Sequence, residues 1–337
     1  MRDLYAVAVA LTLVIATPVS GHHSSSIYDT NTLISIEGTV TSFDLKNPHT
    51  YIQIETTDAE GAHLTDIEAG SISWLGPLGL ARESFEVGDR VIARVYPPTR
   101  RNSQVVLGRE IITQDGTVVP LNSLSPSIIS RGSTGSATDI SGTWVMENGA
   151  NYRMHDLQDS WTLTDTALAT LAQHDGVSTP QSECVPMSVP NLMLYPVVTL
   201  IDIGNDAVRM RIDWMNSARV IYTDGREHPN GSQRFLHGHS IGRWEGEEGK
   251  LLAVETTNFA DHAAGTGYGI PSGSDKRVME RFQLSDDGTQ MSYEGVLESP
   301  EYLAEPATWS FVFNNRPELR HSERGCDLGS ARRFEAE

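Results

Sequence analysis

Three histidines near the start of the chain have the residue type and spacing of a metal-binding site. His22 and His23 are adjacent, and His49 follows Asn47-Pro48 in a predicted turn. Neutral imidazole is a good ligand for Cu(II), which also accepts an amine nitrogen. If His22 is the first residue of the mature chain, its α-amine and ring chelate one metal ion. His23 or His49 then adds a ligand, so the sequence predicts a metal site, with copper as the expected metal.

This metal prediction depends on a secretory leader over residues 1–21. Arg2 supplies a positive charge, and residues 4–16 are an apolar run of signal-peptide length that is short for a membrane span. Cleavage after Gly21 exposes His22, and cleavage after Ser20 places a histidine near the amine in another strong Cu(II) arrangement. A cut elsewhere, or a frayed terminus, leaves no such site. We expect a periplasmic or secreted protein with no integral membrane segment after leader removal.

A second group of polar residues lies in the later half of the chain. Asp224 precedes His228 by four residues, and a carboxylate that orients an imidazole is typical of a general base. His237 and His239 lie on the same side of a predicted extended segment, where they act as acid and base or share a metal. The predicted catalytic residues are Asp224, His228 and His239. The predicted ligand-binding residues are Arg226, Arg243, Glu255 and Arg281.

Structural roles are the alternative for this second group. Residues 222–226 (YTDGR) are typical of a hairpin turn, where Asp and Gly serve backbone geometry. Trp244 fits a protein core, and Glu245 fits a solvated face. The chain has no Gly-rich phosphate loop, HExxH or CxxC sequence, so no nucleotide cofactor is expected.

Short alternating segments separated by turn residues predict an all-β protein of two domains. Residues 22–121 are predicted to form a small OB-like β-barrel. Residues 122–141 are a Ser/Gly-rich linker. Residues 142–337 are predicted to form a larger antiparallel barrel or sandwich with one short helix, for which Thr164 or Asp165 is the expected cap.

The composition indicates the cellular compartment of the protein and limits the kinds of partner that it can have. The chain has 337 residues and a formal net charge of −19, which argues against nucleic acid and anionic membranes as partners. It has two cysteines, Cys184 and Cys326. In an oxidising compartment they are expected to form one structural disulfide. The expected partners are a small-molecule ligand or another protein of the cell envelope.

Several motifs resemble those of bacterial exported families. The first third resembles an exported domain of unknown function, and the later part resembles a set of uncharacterised exported proteins. The first set of motifs is His22-His23-Ser24, Tyr28-Asp29, Glu37-Gly38-Thr39-Val40, Asn47-Pro48-His49, Gly79-Leu80-Ala81-Arg82 and Gly88-Asp89. The second set is Cys184-Val185-Pro186, Ile221-Tyr222-Thr223-Asp224-Gly225-Arg226, His228-Pro229, Gly238-His239-Ser240-Ile241-Gly242-Arg243-Trp244-Glu245-Gly246, Thr257-Asn258-Phe259 and Glu280-Arg281-Phe282. Neither resemblance implies an established activity.

Two functions from different classes follow from these observations. The first is an exported metal-binding protein, with copper held by His22, His23 and His49 and a second barrel that binds a ligand. The alternative is an enzyme of lyase, isomerase or hydrolase type, in which Asp224, His228 and His239 act as acid–base groups inside the second barrel on a small organic substrate. A protein that only mediates interactions in the cell envelope is a third possibility.

Overall fold

The computed structural model describes residues 27–59, 61–99, 105–127, 132–147, 157–174, 179–246, 249–273 and 275–332. Within these ranges the chain is mostly β, with 15 strands and a few short helices. The strands form two barrels, which confirms the predicted all-β, two-barrel architecture. His22 and His23 lie outside the described residues.

The first barrel is built from six strands and one short helix. The strands are β1 (Ile34–Asp44), β2 (Thr50–Asp58), β3 (Gly61–Ala69), β4 (Arg90–Tyr96), β5 (Val105–Thr113) and β6 (Val118–Pro120). They pair in the order β3-β2-β1-β4-β5-β6, and a parallel β3–β5 pairing closes five of them into a barrel. Helix α1 (Ile72–Leu75) lies between β3 and β4. Five strands closed in this way are the arrangement of an OB-fold, as predicted.

The second barrel closes nine strands into a ring. They are β7 (Gly142–Met146), β8 (Val198–Ile203), β9 (Ala207–Ile212), β10 (Ser217–Tyr222), β11 (His239–Trp244), β12 (Leu251–Thr257), β13 (Arg277–Leu284), β14 (Gln290–Glu298) and β15 (Ala307–Asn315). Neighbours are antiparallel except β10 and β11, whose parallel pairing requires the long connection over residues 223–238. That connection carries Asp224, Arg226 and His228.

Alternation of buried and exposed residues sets the two faces of this barrel. In β14, for example, Met291, Tyr293 and Leu297 are buried, whereas Glu294 is exposed. The one predicted helix is present as α2 (Asp165–Leu171). The Thr164 hydroxyl caps it by accepting a hydrogen bond from the Ala167 amide, as expected.

The two barrels share a polar joint. Asn47 Nδ2 donates to Ser73 Oγ at 2.9 Å, and Ser73 Oγ donates at 3.2 Å to Asp213, which lies in the turn between β9 and β10. Asn47, Ser73 and Asp213 are all buried. The Asn-Pro-His segment therefore takes part in holding the first barrel against the second.

A C-terminal strap, residues 316–332, crosses the same joint. The amide of Asp327 donates to the Asn47 carbonyl at 2.8 Å, and Ser330 Oγ donates to the His49 carbonyl at 2.7 Å. The strap ends in helix α3 (Leu328–Ala331). The predicted disulfide is confirmed, since Cys326 of the strap is bonded to Cys184, with 5.6 Å between their Cα atoms.

Residues 134–140 of the predicted linker are hydrogen-bonded to the second barrel. The amides of Thr134, Ala137 and Ile140 donate to carbonyls of Asn315, Gly288 and Gly249 respectively. These bonds place residues 134–140 on the barrel surface. In the described part of the chain, no helix is both long and apolar enough to cross a membrane.

Candidate functional site

A groove of about 830 Å³, here called the outer groove, lies against the outward-facing residues of β11–β15. Residues 225–228 of the long β10–β11 connection form one wall. Its size falls within the usual range for small-ligand sites. Five residues predicted from the sequence line it: Arg226, His228, Arg243, Glu255 and Arg281. The strand pairing brings them together from four separate segments of the chain.

The position of this groove corrects one feature of the enzyme hypothesis, which placed the acid–base groups inside the barrel. The interior is filled by large side chains, among them Trp144, Phe282, Tyr293 and Phe313, each fully buried. A barrel of about eight strands is just wide enough for side chains to fill it. A ligand therefore has room on the outer face, where Ile241, Ala253, Met279 and Val296 form an apolar floor.

Two arginines of the groove are held by carboxylates. Arg281 Nη1 lies 2.8 Å from Glu245 Oε2, and Arg226 Nη2 lies 2.6 Å from Asp224 Oδ2. Glu255, which also lines the groove, lies 3.0 Å from Arg277 Nε. These pairs fix the side chains in place, although exposed ion pairs contribute little to stability.

His228 and His239 form a close pair at the edge of the groove, here called the histidine pair. Their Nδ1 atoms lie 3.0 Å apart, so one ring donates its Nδ1–H to the other, and their ring planes meet edge to face. Burial lowers the pKa of both imidazoles, and the charge of Arg277 lowers the pKa of His228 further while Glu255 opposes that shift. Both rings are therefore neutral at pH 7.

Aromatic and amide groups hold the histidine pair in position. The His239 ring stacks on Tyr222, with 5.2 Å between centroids. Asn258 Nδ2 donates to the carbonyls of Pro229, Asn230 and Gln233, which fixes the loop that follows His228. Motifs that carry the family resemblance thus meet at one end of the second barrel. Tyr222 and Asn258 belong to those motifs, but their roles here depend on contacts with other segments of the chain, which the sequence alone does not show.

Asp224 contacts Arg226 and not His228. Its carboxylate accepts two hydrogen bonds from Arg226 Nε and one from Nη2, and these bonds lower the pKa of Asp224 to about 2. The Arg226 guanidinium lies over the Tyr222 ring at 3.7 Å from the centroid. The partner that orients His228 is therefore His239, and Asp224 fixes Arg226 instead.

His237 and His239 do not share one side of an extended segment as expected, because Gly238 between them has φ 73°. His237 is mostly buried, and burial lowers its pKa to about 4, with Arg219, His262 and Lys276 adding to the shift. His239 instead faces His228. The two imidazoles therefore lie in different surroundings.

A buried ionic network that the sequence analysis missed lies inside the second barrel. Arg219 and Glu280 are fully buried and form a bidentate pair, with Nη1 and Oε1 2.9 Å apart. Tyr293 donates its hydroxyl to Glu280 at 2.8 Å, while Ser240 and Thr256 accept from the guanidinium. These partners satisfy both charges, so the network supports the strands beneath the groove.

His49 has a carboxylate partner in the first barrel. Its Nδ1 lies 2.9 Å from Oε1 of the buried Glu68, whose Oε2 accepts a hydrogen bond from Tyr28 at 2.7 Å. Histidines that bind metals commonly have such a carboxylate on the second ring nitrogen. No cluster of three or more His, Cys, Asp or Glu suited to a metal occurs among the residues that the structure describes. His22 and His23 are not among those residues.

Comparison with known families agrees with the resemblance of the first third of the chain. Residues 10–106 match a family of unknown function (DUF6152). The match covers β1–β4 and the first two residues of β5, and it includes the Asn-Pro-His segment. A search of curated proteins gave no significant match.

Proposed function

We propose that this is an exported two-domain β protein, periplasmic or secreted, whose second barrel binds a small polar organic ligand and performs acid–base chemistry on it. The observation that carries the proposal is the outer groove, in which Arg226, His228, Arg243, Glu255 and Arg281 line one cavity. These residues are far apart in sequence, but the fold brings them into one cavity beside a pair of neutral imidazoles. Charged residues that served only to keep the surface soluble would not need to be grouped in this way.

The histidine pair supplies the proton-transfer step. His228 lines the groove, and His239 lies behind it at 3.0 Å between Nδ1 atoms. His228 Nε2 is buried and has no hydrogen-bond partner among the described residues, so ligand binding must expose it before it accepts a proton. His239 then stabilises the resulting imidazolium by accepting its Nδ1–H. Arg243 and Arg281 bind anionic groups of the ligand. The reaction class is proton abstraction or addition, as in a lyase or isomerase.

Tryptophan fluorescence tests this proposal, because the ring of the buried Trp309 packs against Gly295, which lines the groove. A library of small organic acids, amines and amino acids is screened for a change in emission and for thermal stabilisation of the mature protein. A groove ligand should bind at least about fivefold more weakly to Arg281→Gln, since the variant removes a charged contact. Arg209→Gln, an exposed arginine of β9 that is paired with Asp206, is the matched control.

The acid–base step is tested separately with His228→Gln and His239→Gln. Both variants should bind the ligand while losing its chemical conversion by about a hundredfold or more, as expected for a general base. If no library compound changes either the tryptophan emission or the thermal stability, the ligand-binding proposal is wrong. If a ligand binds and is converted equally well by both variants, the histidine pair has no catalytic role.

A second candidate function is copper binding by His22, His23 and His49 in the first domain. The Glu68–His49 contact favours it, because it orients the imidazole for binding through Nε2. Tyr28 bonds to the same Glu68 and lies only five residues after His23. A chain of five residues spans at most about 17 Å, which is enough for either histidine to reach His49.

Copper binding is measured by calorimetry and metal analysis of the mature protein, together with intact mass to fix the cleavage site. Stoichiometric Cu(II) binding is expected, with a loss of affinity when three extra residues precede His22, so that no histidine lies within three residues of the amine, or when His49 is replaced by alanine. His63→Ala, an exposed histidine of β3, is the control. Binding that neither the extension nor His49→Ala changes contradicts this site.

A further inference from the structure

Some charged side chains of the outer groove have an ionic partner, and others do not. Arg226, Arg281 and Glu255 each have an ionic partner within 3.0 Å. Arg243 and Glu294 line the same groove, are exposed, and form no ion pair within the described residues. Glu227, on the loop wall, also has none there. The strands of the groove therefore present one uncompensated cation and one uncompensated anion.

The strand register places these two charges at opposite ends of a single row. Arg243 on β11 stands opposite Ala253 on β12, which stands opposite Arg281 on β13, which in turn stands opposite Glu294 on β14. Neighbouring strands are about 4.8 Å apart, so three spacings separate the two backbones by about 14 Å. Curvature of the barrel shortens the straight line between the two backbones, whereas the outward-pointing side chains extend beyond it. A ligand that neutralises both charges must carry an anion and a cation about 10–14 Å apart.

The surface between the two charges has its own chemical character. Ala253 in the row, with Ile241, Met279 and Val296 beside it, offers apolar contact. The Arg281–Glu245 pair offers guanidinium donors and a carboxylate acceptor in the same stretch. The surface thus alternates apolar side chains with hydrogen-bond donors and an acceptor. A peptide has the matching pattern, because its side chains alternate with backbone amides.

We propose that the ligand of the outer groove is a short peptide of three or four residues with free termini, whose carboxylate binds Arg243 and whose ammonium binds Glu294. An extended chain covers about 3.3–3.6 Å per residue, so this length spans about 10–14 Å. A cavity of about 830 Å³ accommodates such a molecule. The inference rests on the proposed ligand-binding function of the groove and names its ligand class.

An oligoalanine series tests the predicted length and the two charges. Dialanine to hexaalanine are titrated into the mature protein with Trp309 emission and calorimetry as readouts, and affinity should be greatest at three or four residues. N-acetylation or C-terminal amidation of the best peptide should each weaken binding at least about fivefold, since each removes one charge. Affinity that does not depend on length or on blocking overturns the proposal.

Variants then assign each terminus to its residue. Arg243→Gln should abolish the effect of C-terminal amidation and keep that of N-acetylation, whereas Glu294→Gln should do the reverse. Each single charge reversal, Arg243→Glu or Glu294→Arg, should abolish peptide binding. The double variant Arg243→Glu/Glu294→Arg should restore the affinity, with the peptide bound in the opposite orientation. Both residues are exposed, so folding should be retained, which circular dichroism checks. Failure of the double reversal to recover binding contradicts the pairing.

The outcomes separate this inference from the proposed function. If no alanine peptide binds but another library compound perturbs Trp309 and depends on Arg281, the ligand class is wrong and the groove still binds a ligand. If neither peptides nor library compounds bind, both proposals are wrong.

Discussion

Breaking the Cys184–Cys326 disulfide should cost the protein much of its stability, because the bond closes a long loop. The two cysteines are 142 residues apart in sequence. For a loop of 142 residues the chain-entropy relation gives an unfolded-state entropy loss of about 17 cal/mol/K, or about 5 kcal/mol at 25 °C. Removal of native disulfides typically costs 2–5 kcal/mol. We therefore expect the free energy of unfolding to fall by about 3–5 kcal/mol.

Part of this loss should be local to the C-terminal strap. Besides the disulfide, the strap is held by hydrogen bonds from Asp327 to Asn47 and from Ser330 to His49, and by contacts of Ser322 with Asp213. These bonds lie at the joint between the barrels. Without the covalent link, amides in the strap should exchange their hydrogens faster than those in the strands of either barrel.

Urea unfolding measures the change in the free energy of unfolding, and amide hydrogen exchange measures the local opening of the C-terminal strap. The samples are the oxidised protein, the reduced protein and Cys184→Ala/Cys326→Ala, and reductant should have no effect on the double variant. Equal urea midpoints for the oxidised and reduced proteins would refute the loop-entropy reasoning. Accelerated exchange spread evenly over both barrels would refute the local role of the strap.

Two further predictions concern the interior of the second barrel. Arg219→Met should destabilise the protein by about 3–5 kcal/mol, because it leaves Glu280 buried and unpaired. Replacing both residues by methionine should cost less, which urea unfolding of the two variants will show. Stability should also fall as the pH drops from about 6.5 to about 4, because the unfolded chain protonates His237 near 6.5 whereas the folded state, with its pKa lowered to about 4, does not. The 2.5-unit difference amounts to about 3 kcal/mol, and His237→Gln should reduce the slope of urea midpoint against pH.

Local patterns predicted most of the secondary structure. Alternation of buried and exposed residues in segments such as β4 and β14 is a property of the strand itself, so it is visible without knowledge of the neighbouring strands. The Thr164 cap of α2 is likewise a contact within one turn. The disulfide followed from composition, since only two cysteines were present to pair.

Contacts between distant segments could not be predicted in the same way. The β3–β5 pairing that closes the first barrel depends on how the whole sheet curls. Asp224 was expected to orient His228, but the turn brings it against Arg226, two residues away. His239, eleven residues from His228, takes the orienting position because the long connection folds back onto β11. The spacing of residues in the sequence does not specify that the connection folds back onto β11.

The Asn-Pro-His segment illustrates how one motif serves two purposes. Its histidine contacts Glu68 within the first barrel, and this contact is the one that favours a metal site. Its asparagine, through Ser73, reaches Asp213 of the second barrel. A short motif with a buried asparagine thus has a structural reason to exist even without a metal. The identity of the motif therefore cannot by itself argue for copper, and only the Glu68 contact does so.

The filled interior of the second barrel explains why its candidate site lies outside. Arg219 and Glu280 occupy the centre as a satisfied pair, and aromatic side chains fill the remaining space. Because inward positions are taken by packing, the outward positions of β11–β15 are the ones left for ligand contacts. Alternation along β13 separates the two roles: Glu280 is buried and supports the barrel, whereas its neighbour Arg281 is exposed on the outer face. The same pattern that builds the fold therefore also determines where the candidate site lies.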